Sequence, residues 1–151
     1  GAGQAAAQVL AGGQGVGADD AHVQLPVRGA RLLRAQGLAR EADEEAGLKI
    51  LPKDLHLTGL ISENGYEGST HWYIFLFEIK PRLFKLPKAC DEGEFNFFTT
   101  KEIEDINIPK TDREQIWPLF QKHRGGFFSG HFQCLDGDKF NWTLEESIRI
   151  E

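Results

Sequence analysis

The stretch Arg40-Glu41-Ala42-Asp43-Glu44-Glu45-Ala46-Gly47-Leu48 holds the densest group of chemistry-bearing side chains in the chain. Read as a helix, it places Glu41, Glu44 and Glu45 on one side, because residues three and four apart share a face. Carboxylates crowded in this way repel one another unless a cation sits among them. Arg40 reaches Glu44 one turn on. Hard cations such as Mg²⁺ take oxygen ligands and commonly combine a few carboxylates with substrate phosphates. The spacing therefore predicts a divalent-metal site near a helix end. Gly47 suits the position just past that end, where a left-handed conformation is wanted.

The elements around this group set its position. Ala30 to Ala46 reads as a helix whose apolar side is Leu32, Leu33, Leu38 and Ala42, weakened by Gly37 by about 1 kcal/mol relative to Ala. Pro52 prevents its continuation. Leu55 to Ile61 reads as a strand, Glu63 to Gly68 as a turn, and His71 to Ile79 as the strongest strand in the chain. The short loop between the two predicts antiparallel neighbours, and the near-continuous apolarity of the second predicts burial on both faces. Pro81 and Pro87 bracket a connection, and Glu94 to Phe98 reads as a further strand. Thr100 to Ile103 is a capped helical turn, and Asp112 to Gln121 a helix capped by Asp112. Phe127 to Gln133 and Lys139 to Leu144 form a closing hairpin around Asp136-Gly137. The pattern is mixed α/β, with two or three helices around a central sheet.

Length and composition bound the rest. The 151 residues make a single domain with room for a sizeable core. No apolar run approaches the roughly 20 residues of a membrane span, and the opening lacks a signal-peptide pattern. Cys90 and Cys134 have neither metal-type spacing nor a disulfide framework, so a reduced, cytoplasmic setting is expected. A net charge of −6 argues against a stable nucleic-acid complex. Residues 1–39 contain 10 Ala and 8 Gly but no Lys, Glu, Phe, Ile, Tyr, Trp, Ser, Thr or Asn. That composition reads as a flexible low-complexity arm or misassigned sequence. Within it, Gln4 to Leu10 reads as a short strand or helix and His22 to Val27 as a strand.

The run Arg40 to Leu48 resembles the second half of the Nudix box, Arg-Glu-apolar-X-Glu-Glu-X-Gly-apolar, and fills every specified place. The resemblance covers roughly residues 40–151. It implies an α/β/α sandwich with a mixed central sheet. The implied activity is Mg²⁺-dependent (or Mn²⁺-dependent) hydrolysis of a nucleoside diphosphate linked to another group. Glu41, Glu44 and Glu45 would then be metal ligands, Glu41 or a downstream acid would help to deprotonate water, and Arg40 would hold a glutamate by a forked hydrogen bond. A further acid from a loop is implied; Asp91, Glu92 and Glu94 lie in such a loop, where Glu92 or Glu94 would complete the metal shell or serve as base, beside the plainer reading of a solvated acidic loop. Ile116-Trp117-Pro118-Leu119-Phe120 followed by Gly126-Phe127-Phe128 and Gly130-His131-Phe132 is similar to the closing region of oxidised-purine nucleoside triphosphate diphosphatases. That likeness makes Asp112 a candidate for reading a purine edge, beside its plainer role as a helix cap. Trp72 and Trp117 are candidates for stacking on a base, beside their plainer place in a core.

The upstream half of the box is absent. Leu32 stands where a Glu is expected, and Pro26-Val27 where paired glycines are expected. Three readings follow: an active nucleotide diphosphatase, a catalytically impaired domain of the same fold that binds a nucleotide or a protein, or a plain α/β interaction domain whose acidic helix is only solvated. The oligomeric state is left open by the sequence.

Overall fold

The computed structural model describes residues 4–13, 21–28, 35–47, 49–65, 68–83, 100–137 and 139–150. Its elements are β1 (Gln4–Gly13), β2 (Ala21–Arg28), α1 (Ala35–Ala46), β3 (Leu55–Gly65), β4 (Gly68–Leu83), α2 (Thr100–Ile103), α3 (Trp117–Lys122), β5 (Phe127–Cys134) and β6 (Phe140–Ile148). A 3-10 turn at Pro52–Asp54 leads into β3, and a π-turn at Asp112–Ile116 leads into α3. The predicted α/β class with a mixed sheet is what forms. Strands pair in the order β2-β1-β4-β3-β5-β6. The β1/β4 and β3/β5 pairs are parallel, and the other three are antiparallel. The predicted strand at Glu94–Phe98 lies outside the described residues.

β4 takes the centre because its sequence tolerates no other place. Leu76, Phe77, Glu78 and Ile79 are all buried in succession, so both faces of the strand are covered. It has partners on both edges, β1 and β3. The strand runs on through Pro81, which had been expected to start a connection. Two features permit this. β3 pairing ends at Leu55 opposite Ile79, and the β1 register shifts between Ala11 and Gly13, opposite Ile79 and Leu83. At such an irregularity the missing proline N–H interrupts no regular ladder. Pro26 is tolerated for a related reason, since β2 is an outermost strand.

One face of the sheet carries the C-terminal helices. Ile61, Leu76, Phe128 and Phe132 from β3, β4 and β5 meet Ile103, Ile116, Trp117, Leu119 and Phe120 in one buried cluster. The alternation in β5 is regular, with Phe128, Gly130 and Phe132 buried between half-buried neighbours. Gly130 is required by a close approach: a Cβ there would lie 2.1 Å from the Trp142 ring.

The last helix differs from the one expected over Asp112 to Gln121. Helical backbone begins at Lys110, and the Arg113 N–H donates to the Pro109 carbonyl (3.0 Å). Asp112 is thus within the first turn rather than at the cap. The next turn is widened, with the Trp117 N–H donating five residues back to Asp112. Pro118 supplies the reason. It has no N–H for the Glu114 carbonyl, and its ring crowds that group, so the ladder slips by one residue before it. A buried clamp fixes the far end. Glu78 accepts from Arg124 Nε (2.7 Å) and from the Gly125 N–H (3.1 Å). His123 is wedged between the Leu119 carbonyl (2.7 Å) and the Ser147 hydroxyl (2.6 Å). Among the described residues, no helix is long and apolar enough to cross a membrane.

Candidate functional site

α1 carries the acidic group as the spacing predicts. Ala39 is buried, while Arg40 and Glu44, one turn apart, face solvent together. The helix stops where expected: Gly47 has φ 67°, and its N–H donates to the Asp43 carbonyl at 2.9 Å. A side chain at that φ clashes with its own backbone, which is why glycine closes the helix. Among the described residues the one ion pair on α1 is Lys49 with Asp43, not Arg40 with Glu44. Both partners are well exposed, so the pair contributes little.

The candidate ligands are unevenly described. Glu41 and Glu45 occupy α1, one turn apart, but their side chains lie outside the described residues, as does Glu92 altogether. Among the described residues no three His, Cys, Asp or Glu side chains gather as a metal site. The donor set fits a hard cation by chemistry alone, as carboxylates on a helix beside an arginine.

The substrate candidates are scattered. Trp117 is only 5% exposed, inside the apolar cluster with its edge on the Phe120 ring (centroids 5.8 Å apart). That is the place of a core side chain. Trp72 is half-buried on β4, opposite Glu63 of β3. Asp112 is half-buried and already engaged in a contact.

Sequence reasoning passed over a cleft of about 260 Å³ between the Pro109–Thr111 turn and the β5–β6 hairpin. Its walls include Glu63, Gly65, Pro109, Lys110, Cys134 and Phe140. Glu63 is 8% exposed. It had been placed in a turn, but β3 continues to Gly65 and points it to the helical face, beside Phe132 across the parallel pair. Cys134 hydrogen-bonds to it. Burial first, then the negative charge of Glu63 and the hydrogen bond to it, push the Cys134 thiol above its ordinary pKa. The sulfur is therefore held as a neutral donor rather than a nucleophile. Lys110 sits over the Phe140 ring, 5.9 Å from its centroid. The one sequence signal for this cleft was the buried-face alternation of β3, which puts residues 61 and 63 on the same side.

Comparison with known proteins bears on the fold. No family model matches the chain, and no curated protein matches it by sequence. Among solved structures it is similar to the mutator MutT protein from Bacillus halodurans. The TM-score is 0.68 and the identity 16%, over 94% of this chain and 97% of that one. It is also similar to the C-terminal domain of mouse MUTYH, solved in complex with human PCNA. There the TM-score is 0.56 and the identity 10%, over 83% and 92%. The chain has a Nudix-like α/β fold.

Proposed function

We propose that this chain is a Mg²⁺-dependent hydrolase of the Nudix type, cleaving the diphosphate linkage of a nucleoside diphosphate derivative. An oxidised purine nucleoside triphosphate is the leading substrate. The observation that carries the reading is the run Arg40 to Gly47 on a helix ended by a left-handed glycine, within a MutT-like fold. Glu41, Glu44, Glu45 and Glu92 are the residues proposed to hold the metal, with Mn²⁺ as an alternative ion. A bound divalent ion supplies charge neutralisation at phosphate oxygens and a lowered pKa for bound water. The protein's own part is to position the phosphate chain and to accept a proton, a task assigned to Glu41 or Glu92. Arg40 lies on the same exposed face as Glu44, where it could orient a carboxylate or a phosphate oxygen. The cleft beside Glu63 is a suitable size for the organic part of the substrate. The working setting would be the cytoplasm.

A second reading has its own support. Residues 21–28, where the upstream glycines of the box would fall, form a strand paired to β1, with Pro26 opposite Gln8. A strand there does not offer the backbone amides of a glycine loop to phosphate. On that reading the domain binds a nucleotide or a protein without turning it over. Incubation of a nucleoside triphosphate panel with Mg²⁺, assayed for monophosphate and pyrophosphate, separates the two. Pyrophosphate release supports the enzyme, and binding without release supports the impaired domain.

A further inference from the structure

We propose that β6 pairs with β6 of a second copy of this chain, antiparallel about a two-fold axis at Trp142, so that the two sheets become one. The pairing stands or falls apart from the proposed hydrolysis.

β6 is an outermost strand, and among the described residues nothing pairs with its outer edge. Every residue from Thr143 to Ile148 is exposed. An open edge presents a row of unpaired N–H and C=O groups to another chain. Which residues carry the outward groups follows from the hairpin. The Leu135 N–H donates to the Lys139 carbonyl at 2.8 Å, so that pair is a hydrogen-bonded one. Bonded and non-bonded pairs alternate along an antiparallel ladder. With β5 and β6 in register from Cys134–Phe140 to Gly130–Leu144, the outward groups belong to Phe140, Trp142 and Leu144. Those three residues also share a face. Phe140 and Trp142 pack on the Phe132 ring, with centroids 5.3 and 4.5 Å away, yet are only half-buried, and Leu144 is 45% exposed. The apolar core thus reaches the edge of the sheet uncovered.

The occupant is indicated by the strand's own order. From Lys139 to Glu145 the chemistry is mirrored about Trp142: Asn141 matches Thr143, Phe140 matches Leu144, and Lys139 is the opposite charge to Glu145. An antiparallel copy centred on Trp142 therefore sets outward groups against outward groups, for about six backbone hydrogen bonds. It adds Phe140–Leu144 and Trp142–Trp142 contacts on the apolar face and a Lys139–Glu145 pair at each end. Neither Lys139 nor Glu145 makes an ion pair among the described residues. The register shift opposite Ser129 and Gly130 leaves Glu145 as an extra residue and ends the regular ladder, so the contact closes on two copies. The other outermost strand, β2, carries Pro26, a residue that blunts an edge.

Sedimentation equilibrium of the full chain at low ionic strength, from micromolar to sub-millimolar concentration, reads the association. The parent chain should approach twice its 16.9 kDa mass and go no higher. Lys139→Glu alone, or Glu145→Lys alone, sets like charges opposite each other at both ends. The dissociation constant should then rise about tenfold or more. With both reversals in one chain the charges are again opposite, and the constant should return to within about threefold of the parent value. Both positions are exposed, so each variant should keep the parent's circular dichroism. A parent chain that stays monomeric throughout, or a mass that climbs past two copies, would overturn the proposal. So would a dimer indifferent to both single reversals, or a double variant no tighter than the singles.

Discussion

Glu44 is exposed on α1 and makes no ion pair among the described residues, so within them its carboxylate has no structural debt to the fold. Changing it to Gln should leave stability within about 0.5 kcal/mol, as for an ordinary surface position. Turnover should fall by about 100-fold or more if the carboxylate serves the reaction, and Glu45→Gln should behave alike. Steady-state kinetics beside thermal unfolding checks both halves, and unchanged hydrolysis in both variants would remove the role. Trp117 behaves oppositely. Its side chain fills the core against Phe120, so Trp117→Ala should cost about 3–5 kcal/mol of stability, seen in urea unfolding. Cys134 adds a pH signature. Its thiol pKa is raised in the folded chain, so the folded state binds the proton more tightly than the unfolded one. The stability this contributes is present below the unfolded thiol pKa and declines as pH rises past about 8.5 toward the folded value. A Cys134→Ser chain should lack that part of the alkaline decline. Equal pH profiles from 8 to 11, measured by denaturant titration, would refute the raised pKa of the buried thiol.

At the scale of elements, the helix stop is the sharpest feature. Gly47→Ala puts a Cβ at φ 67° and should cost about 1–2 kcal/mol. A thermal midpoint equal to that of the parent chain would show that the stop is not left-handed. Much of the element order was legible. β3 with β4, and β5 with β6, were readable as antiparallel pairs because their aromatic and β-branched runs are interrupted only by glycine-containing turns. The extension of β4 through Pro81 was not, because proline's local signal is a break. Only the pairing map shows that β3 has already ended there. Likewise Asp112 has the residue type of a cap, but the backbone is already helical at Lys110 and Thr111. The π-turn follows from Pro118, yet proline alone does not say whether a ladder widens or breaks.

For the whole molecule, the sheet order brings together what the sequence keeps apart. Glu63, Lys110 and Cys134 line one cleft only because β3 lies parallel to β5 and the Pro109–Thr111 turn crosses their ends. No local pattern encodes that meeting, which is why Glu63 read as a turn residue and Cys134 as an isolated thiol. The acidic helix, by contrast, is local and was legible from its spacing alone. At 16% identity the MutT likeness is a likeness of backbone, so activity must be decided by chemistry. The most direct measurement is pyrophosphate release from oxidised and ordinary purine nucleoside triphosphates, with and without Mg²⁺, by the parent chain and by Glu44→Gln. The account predicts Mg²⁺-dependent release that the variant loses. Release that ignores both the metal and the variant, or no release from any triphosphate, would contradict it.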